Sequence, residues 1–512
     1  MIGADAIIKC LEEEGVSTVF GYPGVAICPF FNSILDSDIK TVLIRTEQNA
    51  AHAASGVARM TGRPGVCAVT SGPGATNVIT GIATAFADSI PLICITGQVN
   101  SELLGSDVFQ EADITGAVES FVKYSYLVKN VNDIPRVFRE AFYIANTGRK
   151  GPVLIDIPID IQNATIKNFH YPEEVNLRTY KPTVKGHAVQ IKKVIRELEK
   201  AKRPIICAGG GVLLSEAEEE LRAFAEEHRI PVVSTMMGIG VMPTEHPLYY
   251  GMVGNNGKAY ANRAMNESDL LIMVGARVAD RAVSQPDLIT RNKVLVHIDV
   301  DPEIGKNAGP SIPLVGDAKH IFQDFQKEEF SCDYKEWLTT LNEYRSTMEK
   351  KRTPNPDFVD PAAFITKLSE KMQEDGVYVA DVGQNQIWSC GYHIVKKGKF
   401  LTSGGMGTMG YSIPAAMGAK TAAMDKQVIA VCGDGSFQMS MMELATIRQH
   451  RIPVKIIVLK NNYLGMVREY QHYTYKDHYS VVDLSGSPDL EKLSAAYDIP
   501  YLRLNNMEHV DE

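Results

Sequence analysis

Two residues that suit a hard metal ion, Asp434 and Asn461, each follow an apolar run with the length of a β-strand. The runs are residues 428–432 and 454–459, and a helical segment separates them, so the pattern predicts a βαβ unit with parallel strands. Both side chains then emerge at the carboxyl edge of the sheet, where open α/β sheets bind ligands. One carboxylate and one amide oxygen suit Mg²⁺, which keeps other positions for phosphate oxygens.

Two glycines flank the predicted metal ligand Asp434 and support the same interpretation. Gly433 and Gly435 permit close backbone approach, and a helix predicted to begin near Ser440 would point its positive end at a diphosphate. The alternative is an ordinary strand-to-helix turn in which the Asp caps the helix. The pair of asparagines that ends the second run favours the metal site.

A second candidate for chemistry is Glu47, which lies between a predicted strand and an alanine-rich helix that ends near Gly62. A carboxyl group shielded from water at this position could share a proton with a bound ring, as general acid–base catalysis requires. The alternative is structural, because Thr46 is a suitable N-cap and a Glu in the first turn complements the helix dipole. From the residues alone, the structural role is favoured.

Composition limits the class of protein. The chain has 512 residues, of which 45% are hydrophobic and 22% charged, and its formal charge of −9 argues against nucleic-acid or anionic-membrane partners. Its eight cysteines contain no C-x-x-C pair, which predicts reduced core cysteines rather than zinc sites or disulfides. Neither a signal peptide nor an apolar run of about 20 residues is evident, and we expect a cytoplasmic protein without a membrane segment.

Alternating strand and helix patterns predict an α/β fold with three doubly wound parallel-sheet domains. The expected domains are residues 1–162, 187–325 and 360–512, with linkers at 163–186 and 326–360. The last twelve residues enter a helix-like pattern and then stop, so we expect the carboxyl-terminal end of the third domain to be incomplete.

Longer motifs resemble one enzyme family. The GDG sequence with a double Asn about 27 residues after its Asp resembles the magnesium–diphosphate motif of thiamine diphosphate enzymes. The run TEQNAAHAASGVARMTGRPGVCAVTSGPGATN resembles the pyrimidine-binding domain of the acetohydroxyacid synthase (acetolactate synthase large subunit) family. Further matching segments are YPG at 22–24, FQE at 109–111, GMGTMG at 405–410 and GMV at 465–467.

This resemblance implies a fold, a reaction and an assembly. The three domains would be a pyrimidine-binding domain, a central domain of the FAD or ADP type and a diphosphate-binding domain. The enzyme would decarboxylate pyruvate and ligate the two-carbon unit to a second 2-keto acid, pyruvate or 2-oxobutyrate, in branched-chain amino acid biosynthesis. The resemblance also implies a homodimer or homotetramer with active sites between subunits, and a regulatory small subunit as a partner.

The resemblance also assigns roles to single residues. Asp434 and Asn461 would bind Mg²⁺ through their side chains and Tyr463 through its carbonyl, while Glu47 would be the acid that activates thiamine diphosphate. Gln110 would face the reacting carbonyl, although from the residues alone a solvated loop amide is equally consistent. The other implied contacts to thiamine diphosphate are Gln384, Gly407, Met409, Gly435, Ser436 and Met466. Of these, Met409 would otherwise be read as an ordinary core residue.

The central domain carries strand-ending glycines and acids but no GxGxxG fingerprint, so the residues alone indicate a dinucleotide site only weakly. The resemblance implies FAD in a structural, non-redox role. Arg149, Arg277 and Arg281 are the expected phosphate contacts, because Arg binds phosphate in a bidentate manner. Ala279 stands where the family has the first of two acids, and Asp280 is the second.

Three other positions depart from the family pattern. Val25 replaces a Gly and would crowd the reacting carbon, Tyr470 replaces a Trp in the wall that selects the second substrate, and Asn385 replaces a His near the diphosphate. These departures keep open a thiamine-diphosphate decarboxylase, or a carboligase with another acceptor such as an aldehyde. A non-catalytic nucleotide-binding subunit is the other alternative, and Glu47 and Gln110 argue against it.

Overall fold

Three sheets of parallel strands, separated along the chain by helices, make up the protein. The structure, a computed structural model, describes residues 1–279, 281–283, 289–349 and 352–511. The chain divides into two compact units. The first is discontinuous in sequence and comprises Met1–Tyr180, Val377–Asn385 and Leu401–Leu502, whereas the second comprises Lys181–Gly376, Gln386–Phe400 and Arg503–Glu512.

The amino-terminal part of the first unit is built on a six-stranded sheet. Its strands are β1 (Thr18–Tyr22), β2 (Lys40–Leu43), β3 (Gly65–Val69), β4 (Leu92–Gln98), β5 (Tyr124–Leu127) and β6 (Pro152–Pro158), in the order β2-β1-β3-β4-β6-β5. The helices are α1 (Gly3–Glu13), α2 (Cys28–Ser33), α3 (Glu47–Thr61), α4 (Pro73–Asn77), α5 (Ile79–Ala87), α6 (Ile114–Ala117), α7 (Ile134–Asn146) and α8 (Ile159–Asn163). Strands β3, β4 and β6 are buried along their whole length, as expected when both faces of a parallel sheet are covered.

A second six-stranded sheet forms the core of the second unit. Its strands are β7 (Pro204–Ala208), β8 (Val232–Ser234), β9 (Tyr249–Met252), β10 (Leu270–Val274), β11 (Val294–Asp299) and β12 (Ile312–Val315), in the order β12-β11-β10-β7-β8-β9. Its helices are α9 (Ala188–Lys200), α10 (Gly210–Leu214), α11 (Glu218–His228), α12 (Ala259–Glu267), α13 (Ala318–Phe325), α14 (Lys335–Met348) and α15 (Pro361–Lys371). Helix α14 lies in the segment predicted as the second linker, yet its Trp337, Leu338 and Leu341 belong to the core of this unit.

The third sheet has four strands and carries the motif around Asp434. Its strands are β13 (Val377–Ala380), β14 (Lys399–Thr402), β15 (Val428–Gly433) and β16 (Lys455–Leu459), in the order β14-β13-β15-β16. The helices of this region are α16 (Gln384–Tyr392), α17 (Ser412–Ala422), α18 (Asp434–Gln438), α19 (Glu443–His450), α20 (Gly465–Tyr475) and α21 (Leu490–Ala496). The three-sheet α/β architecture predicted from the sequence is confirmed.

Small residues allow helices α3 and α17 to pack closely inside the first unit. Ala50, Ala51, Ala53 and Ala54 of α3 have no exposed surface, which explains why this helix is rich in alanine. A Cβ atom at Gly56 would overlap the carbonyl oxygen of Ala415. The backbones of α3 and α17 therefore leave no room for a methyl group between them. This packing joins the amino-terminal sheet to the sheet that contains β15.

We expect Gly56→Ala to lower the free energy of unfolding by about 2 kcal/mol. The added methyl group must displace backbone, which costs up to about 3 kcal/mol, while the gain in helix propensity returns about 1 kcal/mol. Denaturant unfolding followed by circular dichroism measures the change. Gly391→Ala is the matched control, since Gly391 is also helical but a Cβ there has open space. Equal stability of the two variants would contradict the close approach of α3 and α17.

Two further expectations concern cysteines and membranes. Cys67, Cys94, Cys207 and Cys432, which lie in strands, are buried and free, as predicted. Within the described ranges, no helix combines the length and apolar character needed to cross a membrane.

Candidate active site

The predicted metal ligands lie at adjoining ends of two parallel strands in the first unit. Strands β15 and β16 pair with Gly433 opposite Leu459, so Asp434 and Asn461 leave the sheet at the same edge. Asp434 is 3% exposed, whereas Asn461 lies at the surface. The structure therefore brings together the two donors that the sequence placed at one sheet edge.

Hydrogen bonds fix the loop that carries the donors. Asp434 Oδ2 accepts the Asn462 N–H at 2.8 Å, and Asn461 Oδ1 accepts the Tyr463 N–H at 2.9 Å. The neighbouring segment 482–484 also holds this loop, because the Leu464 N–H donates to Val482 and the Leu484 N–H donates to Asn462. Asp434 Oδ1 accepts no hydrogen bond from the described residues, so this oxygen is available to a cation.

The donor set fits one kind of metal ion. A carboxylate, an amide oxygen and the Tyr463 carbonyl are hard oxygen ligands. In the described part of the chain, no group of three or more His, Cys, Asp or Glu side chains is placed to hold a metal. An all-protein cage is thus not formed there, and the set suits Mg²⁺, which binds through few carboxylates and completes its shell with water and phosphate.

The helix after β15 begins earlier than predicted. The sequence predicted a helix start near Ser440, but α18 begins at Asp434 and α19 begins at Glu443. The reason is a local cap: the Gly433 N–H donates to Ser436 Oγ at 3.1 Å, and Ser436 Oγ donates back to the Gly433 carbonyl at 3.2 Å. Gly435 and Ser436, predicted diphosphate contacts, therefore lie in the first turn of α18.

Gln384 and Met466 flank the metal donors. Asn461 Nδ2 lies 3.4 Å from Gln384 Oε1, and Gln384 Nε2 donates to Glu469 at 2.9 Å. A Cβ at Gly465 would overlap Gln384 Oε1, so this glycine lets the amide reach the metal loop. Met466 follows Gly465 in the first turn of α20 and is 37% exposed. Gln384 and the start of α20 therefore border one site with Asn461.

Asp381 is a functional candidate that the sequence reasoning missed. It follows β13 and is fully buried, with Oδ1 accepting the N–H groups of Val382 and Gly410 and Oδ2 accepting that of Ser412. Burial raises the pKa of this carboxyl, and the backbone donors oppose that shift. The apolar run before Asp381 is the signal that could have identified it, as it did for Asp434.

The loop held by Asp381 carries two predicted cofactor contacts. Gly407 is exposed and has a φ of +67°, a conformation that favours glycine, and a Cβ there would meet open space. Met409 reaches toward α18, where its Cε is 3.6 Å from the Cβ position of Gly435. Met409 is thus half-buried beside the diphosphate candidates rather than in a core.

Glu47 opens helix α3 and is held by a neighbouring amide. Asn77 Nδ2 donates to Glu47 Oε2 at 3.0 Å, and Oε1 lies 3.4 Å from the Cβ position of Gly74. The Thr46 side chain makes no capping hydrogen bond, so that part of the structural alternative is not realised. The carboxylate is half-buried at the start of an otherwise buried helix.

Gln110 lies against the same turn as Glu47. Its φ is +59°, and a Cβ at Gly72 would come within 2.9 Å of Gln110 Cβ. The turn of residues 72–74 therefore contacts Gln110 through its first glycine and Glu47 through its last. Gln98 supports the loop from below by donating to the Ala112 carbonyl at 2.8 Å.

We expect Gly72→Ala to lower turnover by about 10- to 100-fold, because a Cβ at this position strains a φ of +55° and displaces Gln110. Steady-state kinetics with the 2-keto acid that the family resemblance implies as substrate measures the change. Gly15→Ala is the control, since Gly15 also has a positive φ, of +69°, but its Cβ would meet only the end of the Arg63 side chain. If Gly15→Ala and Gly72→Ala lose activity equally, displacement of Gln110 is not the cause.

The three predicted FAD contacts are placed differently. Arg149, in the first unit, donates from Nε to Ser89 Oγ at 3.0 Å and lies over the Phe86 ring. Arg277 and Arg281, in the second unit, are exposed and follow the carboxyl end of β10. Asp280 lies outside the described residues.

Glycines at the same sheet edge pack backbone against backbone. A Cβ at Gly211 would lie 2.6 Å from the Cα of Gly275, and a Cβ at Gly209 would lie 2.7 Å from the Cα of Ala276. These glycines let the loops after β7 and β10 cross closely. Among the described residues they shape the backbone of the crevice edge, where a dinucleotide would bind in such a sheet.

Two positions that depart from the family pattern are exposed, and the third is buried. Val25 is 77% exposed and Tyr470 is 59% exposed. Asn385 is buried, and its Nδ2 donates to the Val382 carbonyl at 3.3 Å. Val25 and Tyr470 can therefore contact a substrate without rearrangement of a core.

Comparisons with known proteins agree with this geometry. Models of thiamine pyrophosphate enzymes match the chain in three parts: the N-terminal TPP binding domain at residues 1–117, the central domain at 191–325 and the C-terminal TPP binding domain at 381–512. A protein of Methanocaldococcus jannaschii named "Probable acetolactate synthase large subunit" is 45% identical, covering 100% of this chain and 89% of its own length.

Two further relatives are similarly close. The acetolactate synthase large subunit of Corynebacterium glutamicum is 43% identical, over 100% of this chain and 83% of its own. That of Haemophilus influenzae is 41% identical, over 97% of this chain and 88% of its own.

Proposed function

Since the chain belongs to the acetolactate synthase large subunits, a group of thiamine pyrophosphate enzymes, we propose that it decarboxylates pyruvate and joins the two-carbon unit to a second 2-keto acid. With pyruvate as acceptor the product is 2-acetolactate, and with 2-oxobutyrate it is 2-aceto-2-hydroxybutyrate. Thiamine diphosphate, when bound, supplies the carbon nucleophile and takes up the electron pair that stays behind on carbon when CO₂ departs. The observation that carries the proposal is the donor set at the paired ends of β15 and β16.

The first part of the proposal concerns the diphosphate end. Asp434, Asn461 and the Tyr463 carbonyl would hold Mg²⁺, because they are hard oxygen donors on one short loop and its neighbouring strand. The Asn462 N–H already orients Asp434 Oδ2, which leaves Oδ1 for the ion. Gln384, Gly435, Ser436 and Met466 border this position and would contact the diphosphate side of the cofactor.

The second part concerns the ring end. Glu47 would hold the proton that it shares with the ring nitrogen of the aminopyrimidine, while Asn77 fixes Oε2. Gly74, which lacks a side chain, leaves room at Oε1. The Gly407 carbonyl would accept from the exocyclic amine, Met409 would support the bent cofactor, and Gln110 would face the substrate carbonyl.

The third part concerns assembly. Glu47 is hydrogen-bonded to Asn77, and Asp434 is hydrogen-bonded to Asn462. Within the described ranges, no hydrogen bond joins the Glu47–Asn77 pair to the Asp434–Asn462 pair. We propose that each complete site combines Glu47 of one subunit with Asp434 of another, in a homodimer or homotetramer. Apolar side chains exposed near both pairs support this, with Phe109 at 87% and Met439 at 51%. A regulatory small subunit is the proposed further partner.

FAD in a structural role is proposed for the central domain. Arg277 and Arg281 are exposed and follow the carboxyl end of the central strand β10, where a dinucleotide would lie, and a guanidinium group suits phosphate. Arg149 is the third proposed contact. A visible absorption spectrum of the purified protein tests this: flavin bands are expected, and their absence after reconstitution with FAD would reject the site.

Product analysis tests the reaction itself. The purified protein is incubated with pyruvate, thiamine diphosphate and Mg²⁺, and acetolactate and free acetaldehyde are measured separately. We expect acetolactate to dominate and to require both additions. Acetaldehyde as the main product would instead support the decarboxylase, the alternative that the departures at Val25 and Tyr470 keep open.

A further inference from the structure

A wholly buried carboxylate, Glu443, lies at the start of helix α19 and touches the segment that carries Glu47. It has no exposed surface, although it belongs to the carboxyl-terminal part of the first unit. Burying a charged group without hydrogen-bond partners costs much free energy. The partners of the Glu443 carboxylate therefore indicate its role.

The Glu443 carboxylate accepts hydrogen bonds from Arg45 and Asn49, which lie two residues before and two residues after Glu47. Oε1 accepts the Arg45 N–H at 2.9 Å and Asn49 Nδ2 at 2.9 Å. Oε2 accepts the Thr446 hydroxyl at 2.6 Å, and that hydroxyl also lies 3.1 Å from the Leu43 carbonyl. Glu443 and Thr446 thus both make hydrogen bonds to the segment that connects β2 to α3 and to the first turn of α3.

Local sequence does not otherwise fix this segment. The Thr46 side chain makes no capping bond, and at the start of α3 the Asn49 N–H donates to the Thr46 carbonyl. Glu443 supplies, from a distant part of the chain, the acceptor for the backbone N–H of Arg45 just before the helix and for the side-chain amide of Asn49 in its first turn. Glu443 of α19 therefore contacts the chain two residues before Glu47 and two residues after it.

We propose that Glu443 is a positioning residue for Glu47, holding Arg45 and Asn49 so that the Glu47 carboxylate is fixed at the ring end of the cofactor. This inference rests on the proposed function, in which Glu47 is the activating acid. Glu443 itself touches no reacting atom, and its role is geometric rather than one of charge.

The geometric role makes two variants differ. In Glu443→Gln the amide oxygen still accepts from Arg45 and Asn49, while the amide N–H₂ donates to Thr446 Oγ1, whose own proton goes to the Leu43 carbonyl. All of these contacts survive. In Glu443→Ala the Arg45 N–H and the Asn49 amide lose their buried acceptor.

Hydrogen exchange of the cofactor-free protein is the first test. Mass spectrometry of peptides covering residues 43–49 is expected to show exchange at least about 10-fold faster in Glu443→Ala and within about twofold of the parent in Glu443→Gln. Ile447→Val, a mild change at a buried position of the same helix, is the control and should leave these peptides unchanged. Unchanged exchange in Glu443→Ala would overturn the proposal.

Exchange of the thiazolium C2 proton of bound thiamine diphosphate, followed by NMR, is the second test. We expect Glu443→Ala to slow it at least about 10-fold and Glu443→Gln to restore it. If Glu443→Ala does not fold, Glu443→Asp replaces it, because a carboxylate one methylene shorter cannot keep both contacts through Oε1. Equal loss in the Gln and Ala variants would overturn the geometric role.

Glu47→Gln separates this inference from the proposed function. If Glu47→Gln leaves C2 exchange unchanged, the activating role of Glu47 fails, and with it the part of the proposed function that assigns the ring end of the cofactor to Glu47. If Glu47→Gln slows the exchange and Glu443→Ala does not, only the positioning role of Glu443 is wrong.

Discussion

Replacing Glu47 by Gln is expected to lower kcat for acetolactate formation by about 1,000-fold, the middle of the range for loss of a general acid–base group. An amide has nearly the shape of the carboxyl group but cannot hold the proton shared with the aminopyrimidine. Asn77 can still donate to the amide oxygen, so the fold and the affinity for the cofactor should be preserved. Steady-state kinetics measures kcat and the dependence on the cofactor concentration, and circular dichroism measures whether the fold is preserved.

The control for Glu47→Gln is the same change at an exposed acid. Glu13, near the end of α1, is exposed, and Glu13→Gln should keep the kcat of the parent protein. A Glu47→Gln variant that turns over at the parental rate would show that the activating acid is another residue. Loss of the fold in that variant would instead point to the structural role that the sequence alone favoured.

Replacing Asp434 by Asn is expected to raise the Mg²⁺ concentration for half-maximal activity by at least about 100-fold. Loss of an outer-shell partner already costs 10- to 100-fold in metal affinity, and Asp434 would be the only carboxylate that touches the ion. The amide keeps an oxygen for the Asn462 N–H, so the loop between β16 and α20 should remain in place. Titration of activity with Mg²⁺, and of thermal stability with Mg²⁺ and thiamine diphosphate, measures the change.

Asp425→Asn is the corresponding control, because the Asp425 side chain is 78% exposed and pairs only weakly with its neighbour Lys426 at 3.7 Å. It should leave the Mg²⁺ dependence unaltered. A shift of the same size in both variants would mean that overall charge, rather than ligation by Asp434, sets the metal requirement.

The metal loop could be predicted because its signals are local. Two apolar runs of strand length, a helical spacer and polar residues directly after each run suffice to place Asp434 and Asn461 at one edge, and β15 and β16 confirm this register. The helix start was wrong because Ser436 caps α18 through its own backbone neighbours, three residues after Gly433. A hydroxyl at this spacing is a known cap, and the expectation of a start near Ser440 did not take it into account.

Contacts between distant parts of the chain were beyond prediction. Glu443 and Arg45 are 398 residues apart, and no spacing rule connects them. Asp381 is an intermediate case: the apolar run before it marks its position, but its hydrogen-bond donors, among them the Ser412 N–H, meet it only once the loop to Ser412 is folded. Such carboxylates look like ordinary polar residues until their donors are known.

Three strands of the second unit carry little local signal, because they are short or contain residues that disfavour strands. Strand β8 has only three residues, β9 contains Gly251 with a φ of +90°, and β12 contains Pro313. Pro313 is tolerated because β12 lies at the edge of its sheet, where a missing N–H breaks no ladder on the outer side. Tertiary pairing, not local preference, makes these segments strands.

The discontinuity of the first unit has a consequence for how a cell makes this protein. Helix α3 leaves the ribosome early, but α17, which covers it, is synthesised only after the Lys181–Gly376 and Gln386–Phe400 segments of the second unit. At about 5–20 residues per second, the alanine-lined face of α3 remains uncovered for on the order of 20–70 seconds before α17 is made. Chaperone binding to nascent chains should therefore be strongest during that interval and should fall once the last quarter of the polypeptide emerges.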